Sequence, residues 1–332
     1  MYLFYDMNEN KSRGSFYSRY IFSKKEPKTN LTPTPTSMQL PMSIQEVNVI
    51  YNAAAYSKPS NSNAIAFDLD ETIGSFSDFH SLWARLEDHM RTQSVFNELM
   101  DLYPEFLRVG IIPILRYIRT KQRNGQCLPV FIYTNNQCED YSWIYKLIYY
   151  LEYLVSGVEN TNEHIFARPI CAFEINKKRV EPRRTTHEKT YSDFVHCSMV
   201  STSCQVCFID DLYHKKMKNP RVYYIQPPPY VHPLSYREVV ERFVTSHLFS
   251  KLYPNRKPPP LPSFERDNSE QLKHLLSTHQ SEERKITGKI MYYIREFFLL
   301  SSKRKSVTQK RDRPIGRFSR KKRRPSSHNH QV

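Results

Sequence analysis

AIAFDLDETIGSF, residues 64–76, places an apolar, strand-like run directly ahead of Asp68, Asp70 and Glu71. Side chains alternate faces along an extended chain, so Asp68 and Asp70 leave on the same side, while Glu71 is out of phase with them. Two carboxylates that reach one small volume repel each other. A divalent cation between them reverses the balance, and an all-oxygen donor set suits Mg2+. Acids that merely end a strand in solvent account for the motif as well, so its meaning depends on what the rest of the chain brings beside it.

Working outward, three more apolar, β-branched or aromatic runs end in polar or turn residues: LPVFIYTNNQ (128–137), CQVCFIDDLYH (204–214) and RVYYIQPPPY (221–230). Helical patterns separate them. DFHSLWARLEDHMRTQSVFNELMDLYPEFL (78–107) has Asp78 as its expected N-cap. RVGIIPILRYIRTKQRNG (108–125) closes on Gly125, and YSWIYKLIYYLEYLVSG (141–157) on Gly157. EKTYSDFVHC (188–197) starts another helix, and a short one is expected over 44–56. HIFARPICAFEI (164–175) reads as a strand pair or a strand and loop. The alternation predicts an α/β fold: a mostly parallel sheet with helices on both faces and its site at the carboxyl ends of the strands.

Hydrophobic residues make up 39% of the 332-residue chain and concentrate between about 46 and 250, enough for one ordinary core. The expected layout is a flexible segment over 1–45, a domain over 46–248 and a proline-rich linker over 249–268. An amphipathic helical segment follows over 269–302, then a disordered basic tail over 303–332. Ile286, Ile290, Ile294 and Phe297 share one face of that helix, which suits docking on the domain or on a partner better than lying on a membrane. The tail holds 12 Lys or Arg against Asp312, which is +11 of the formal +16. Its densest run, Arg320, Lys321, Lys322, Arg323 and Arg324, fits nucleic-acid binding or nuclear targeting. No apolar run has the length of a membrane span, and no secretory signal is read at the start of the chain.

Six cysteines in a chain this long do not suggest a disulfide framework, so a reducing, intracellular compartment is expected. Cys204 and Cys207 form a CxxC near His196 and Cys197, but Cys207 lies inside an apolar strand, where a core thiol explains it better than zinc.

The other strand ends supply the remaining chemistry. Thr134 and Asn135 offer a hydroxyl and an amide to phosphate oxygens, with Asn136 beside them. Lys189, ahead of a helix, offers a fixed ammonium, and Asp210 and Asp211 are a second acidic pair. The order DxDxT, strand-end Thr, Lys before a helix and strand-end DD resembles the haloacid dehalogenase (HAD) superfamily of aspartyl-phosphate phosphotransferases. Within it, FDLDET is similar to the phosphatases acting on the C-terminal domain of RNA polymerase II, as are FLRVGIIPIL (106–115), KTYSDF and FIDDLYH. Val109 stands where that group has proline. The truncated plan, over about 60–245, also resembles the phosphatase-like proteins of large DNA viruses such as iridoviruses and ascoviruses.

The resemblance implies a HAD-like Rossmannoid fold with a small or absent cap. It makes Asp68 the nucleophile and Asp70 the general acid, with the Asp70 backbone carbonyl also on the metal. Thr134 and Lys189 would hold the phosphoryl group. Asp211 is the preferred direct ligand of Mg2+ and Asp210 orients Lys189, an assignment that the two could exchange. Thr72 would hold the turn after the nucleophile through backbone hydrogen bonds. Neither insertion is long enough for a large cap, so an open site acting on phosphoserine or phosphothreonine of a protein is expected. That substrate would be the polymerase C-terminal domain or a transcription factor. A nucleic-acid terminal phosphatase and a non-catalytic, nucleic-acid-binding transcription factor are the alternatives. The expected location is the nucleus, or the host-cell nucleus or cytoplasm for a viral protein.

Overall fold

The computed structural model describes residues 46–51, 62–138, 142–157, 164–255 and 269–311. Seven strands are defined within them: β1 (Asn48–Ile50), β2 (Asn63–Phe67), β3 (Phe131–Ile132), β4 (Glu174–Ile175), β5 (Lys178–Arg179), β6 (Gln205–Ile209) and β7 (Val222–Gln226). The α-helices are α1 (Ser77–Trp83), α2 (Gln93–Leu102), α3 (Ile111–Arg123), α4 (Trp143–Ser156), α5 (Tyr191–Ser198), α6 (Tyr236–Val244), α7 (His247–Leu252) and α8 (Ser269–Arg311).

The main sheet has the order β1-β7-β6-β2-β3. β2 lies between β3 and β6, parallel to both, with Phe67 opposite Ile132 and Ile209. β6 and β7 are also parallel, so four strands end on the same side, and β1 closes the far edge antiparallel to β7. Strand alternation sends the central residues into two separate cores. Ile65, Phe67, Cys207, Ile209, Tyr223 and Ile225 pack beneath α2, α3, α4 and α8. Ala64, Ala66, Val206, Phe208 and Tyr224 pack against Phe194 of α5 on the other face. The molecule is therefore a Rossmannoid α/β fold with helices on both faces of a mixed, mostly parallel sheet.

Several local readings need correction. The segment expected to be a helix over 44–56 supplies the edge strand β1, because pairing with Tyr224–Gln226 outweighs a weak helical pattern. The pattern over 78–107 is broken into α1, α2 and two 3-10 turns, with Thr92 capping α2 by accepting from the Val95 amide. Asp78 lies in the first turn of α1, not at its cap. HIFARPICAFEI is partly a parallel extension of the sheet, through bridges Val130–Phe166 and Tyr133–Ile170. It then enters the small sheet β4–β5, a cap-like hairpin whose turn residues Asn176 and Lys177 have φ of 50° and 63°.

The same bridges bring together residues just past the strand ends, and Cys138 and Cys171 form a disulfide. This corrects the expectation of six reduced thiols, since a separation of 33 residues gives no hint of the pairing. Cys204 and Cys207 are free, buried thiols, as their apolar setting suggested.

α8 docks on the domain. Ile290, Ile294 and Phe297 are buried in the core and Ile286 packs at its margin. The helix runs on to Arg311, past the expected start of the tail, and Arg320–Arg324 lie outside the described residues. Among the described residues no helix is long and apolar enough to cross a membrane.

Candidate active site

The parallel register carries the polar strand ends to one place. The Asp68 amide donates to the Ile209 carbonyl at 2.8 Å, and the Asp210 amide to that of Ile225 at 3.2 Å, so β2 and β6 deliver their acids side by side, with β7 fixing the end of β6. Lys189 precedes the N-cap of α5, where Thr190 accepts from the Asp193 amide and donates its own amide to the Tyr133 hydroxyl. Held there, the buried Lys189 Nζ lies 2.5 Å from Asp68 Oδ1 and 2.7 Å from Asp210 Oδ2. His214 Nε2 lies 3.3 Å from that same Asp210 oxygen.

Thr72 does not close its own turn. Its hydroxyl donates to Asp211 Oδ1 and accepts from the Asp211 amide, both at 3.0 Å, locking the first acidic loop to the second. Asn136 Nδ2 donates to the Asp70 carboxylate and to Thr134 Oγ1, and its amide also donates to Thr134 Oγ1 at 3.1 Å. The Thr134 hydroxyl thus serves as acceptor to the loop and keeps its own hydrogen to offer. Asn135 is exposed, and its Oδ1 accepts from Arg184 at 2.8 Å. Glu71 is exposed as its phase predicts, but its backbone has φ of 60° and its carbonyl accepts from Arg108 and from the Tyr230 amide.

Two buried arginines were not legible as site residues. Arg108 donates to the carbonyls of Thr72, Glu71 and Pro228 at 2.7–2.8 Å and pairs with Glu283 of α8. Arg184 donates to the carbonyls of Thr134 and Cys171. Both hold loops through backbone oxygens, which any residue type supplies, so no pairwise signal marks the partners. For Arg108 the one available hint was its place in the RVG segment. His214 had no signal beyond lying four residues after Asp210.

The electrostatics divide the carboxylates. Burial, opposed chiefly by Lys189, raises Asp68 well above the usual range. Asp70 is also raised by burial, restrained by the Asn136 hydrogen bond and by Lys189. Burial and the charge of Asp210 push Asp211 up to about 6. Burial pulls Asp210 the same way, but Lys189 and His214 outweigh it and hold its carboxyl low. The Lys189 ammonium is disfavoured by burial, yet Asp210 and Asp68 keep its pKa above that of an ordinary lysine.

Asp68, Asp210 and Asp211 each offer an oxygen, and these lie within 4.8 Å of one another. Among the described residues this is the one group of three or more acids, histidines or cysteines arranged so. When ionised, three buried carboxylates against a single ammonium leave net negative charge, and the charge of Asp210 adds to the burial that raises Asp68 and Asp211. An all-oxygen donor set with that excess fits a divalent cation such as Mg2+. The Asp70 carboxylate lies outside the group, turned to Asn136.

No family model matches the chain, and no curated protein or solved structure is significantly similar to it. Fold and site together are consistent with the HAD superfamily and with a hydrolase active site of that kind.

Proposed function

We propose that the chain is a Mg2+-dependent phosphatase that removes phosphate from serine or threonine of a protein through an aspartyl-phosphate. The observation that carries this reading is the pairing of Asp68 with Lys189, whose charge opposes the burial that raises Asp68, beside a separate buried carboxylate, Asp70, held by Asn136. Asp68 attacks phosphorus as the bond to the serine or threonine oxygen breaks, and Asp70 gives its proton to that leaving oxygen. Water then attacks the phosphoryl group, Asp70 takes its proton, and the bond to Asp68 breaks to release inorganic phosphate. Lys189 and the Thr134 hydroxyl hold the equatorial oxygens, with Asn135 at the rim, while Asn136 aims Asp70. Asp68, the Asp70 carbonyl and Asp211 would hold Mg2+, with Asp210 positioning Lys189. Bound there, the cation offsets charge on the transferring phosphoryl group.

The small β4–β5 cap leaves room for a phosphate carried on a macromolecule, which supports a protein substrate of the polymerase C-terminal-domain type or a transcription factor. We further propose that 46–255 with α8 forms the phosphatase domain and that Arg320–Arg324 retain the enzyme on nucleic acid or in the nucleus, supported by the charge of the tail. The test is release of phosphate from a phosphoserine peptide by the wild type and by Asp68→Asn, with and without Mg2+. Activity that needs both Asp68 and the metal is expected; equal, metal-independent release from both proteins removes the reading.

A further inference from the structure

Beside the phosphate loop lies an open depression of about 410 Å3, between Gln137 and Cys138 on one side and Ile175, Asn176, Lys178 and Arg179 of the β4–β5 hairpin on the other. It begins at Gln137, one Cα step along the chain from Asn136, whose side chain donates to Asp70. Its walls are tied down. The Cys138–Cys171 disulfide and the hydrogen bond from the Ala172 amide to the Asn136 carbonyl (2.9 Å) join the loop to the base of the hairpin. Arg179 packs over the Phe173 ring and donates to the Arg184 carbonyl at 2.5 Å, and Arg184 in turn holds Asn135 and Thr134.

Among the described residues the charge of this wall is one-sided. Lys177, Lys178, Arg179 and Arg183 are exposed along the hairpin and the segment after it. The described acids nearby are committed elsewhere or set back: Glu181 is buried, 3.4 Å from Arg168, and Glu174 lies opposite Arg179 in the hairpin register. The Lys178 ammonium has no ion-pair partner among the described residues. No aromatic ring lines the depression, so it offers no stacking platform for a base. Cations with a preformed backbone and no ring suit a compact anion on a flexible chain.

Resting on the phosphatase reading above, we propose that this depression is a specificity subsite for a second anionic side chain of the same substrate. A carboxylate or a second phosphate flanking the scissile phosphoserine or phosphothreonine would be recognised chiefly by Lys178. The subsite would make the enzyme prefer acidic or multiply phosphorylated segments.

The experiment compares kcat/KM for the full chain on a phosphoserine peptide with neutral flanks and on two series in which one glutamate, or one further phosphoserine, is moved along the flanks. A small aryl phosphate is run in parallel. At the favoured position the anion should raise kcat/KM about fivefold, mostly through KM, as an exposed charge pair at the top of its range would. Lys178→Glu should remove or reverse the preference and Lys178→Arg should keep it. A larger response to the second phosphoserine assigns the subsite to phosphate, and an equal response assigns it to either anion. Turnover of the aryl phosphate without any preference, or a preference that survives Lys178→Glu, overturns the subsite alone. Faster turnover of a 5′-phosphorylated oligonucleotide than of any peptide also overturns it. No Asp68-dependent turnover of any of these substrates overturns the phosphatase reading and the subsite with it.

Discussion

A carboxylate oxygen of Glu283 lies 3.2 Å from the guanidinium of Arg108, and both side chains are buried. Arg108 in turn donates to the carbonyls of Glu71 and Thr72, and Thr72 holds Asp211. α8 is thereby joined to the acidic cluster through two side chains, and Thr287 adds a hydrogen bond to the Val109 carbonyl at 2.5 Å. Burial raises Glu283 and lowers Arg108, and each charge opposes the shift that burial imposes on the other.

Glu283→Gln should therefore keep the helix docked but cost about 1–2 kcal/mol of stability, the range for a weakened charge-assisted hydrogen bond. Arg108→Met should cost more, about 3–5 kcal/mol, because it strands Glu283 and three carbonyls. Denaturant unfolding of the full chain measures both. An Arg108→Met protein as stable as the wild type would mean that α8 is not held as described.

Mg2+ affinity should rise with pH, because Asp211 and Asp68 must both be ionised to hold the cation and burial raises both. Asp211 is pushed up to about 6, so the folded, metal-free protein keeps its proton where the unfolded chain, near 3.8, has lost it. Its contribution to stability is full at low pH and is lost as pH rises through about 6. Cation binding needs the ionised form and relieves that loss. The gain in Tm on adding Mg2+ should thus be larger near pH 7.5 than near pH 5, and about 2.7 kcal/mol of stabilisation is expected at a hundredfold excess over Kd. A gain independent of pH would contradict the role given to Asp211.

Asp70→Asn should lower kcat about 100- to 10,000-fold, the range for removing a general acid and base. Asn136→Ala acts differently. It deletes a hydrogen bond that restrains the Asp70 pKa, so the limb of the pH–rate profile belonging to Asp70 should move to higher pH. Rate profiles for the two variants separate a proton-transfer group from the residue that aims it.

Reduction of the Cys138–Cys171 bond should lower stability by up to about 3–4 kcal/mol, on loop entropy alone for a crosslink of 33 residues. Thermal unfolding with and without a thiol reductant tests this, with Cys138→Ser as a protein that should not respond. The same treatment should loosen the loop that carries Asn136 and raise KM for peptides more than kcat falls.

The α/β class, the order of the strands that carry acids and the polar residues at the strand ends were legible because they are local. Apolar periodicity marks a buried strand, and a polar residue straight after it marks a strand end. The long pattern over 78–107 failed on the same principle: several short helices with apolar faces toward one core share the periodicity of a single one. The edge strand β1 failed because its conformation comes from its neighbour, β7.

By itself, then, the sequence determined which side chains would stand at the carboxyl ends of β2, β3 and β6, including Asp68, Asp70, Thr134 and Asp210. Only the tertiary structure decided how they are held: Thr72 by Asp211 across 139 residues, Arg108 by Glu283 across 175, and Cys138 by Cys171. The physical reason is that a strand end exposes its acids through the period of the chain, whereas a buried arginine or thiol takes whatever partner packing brings near. Nothing in its local sequence records which one that is.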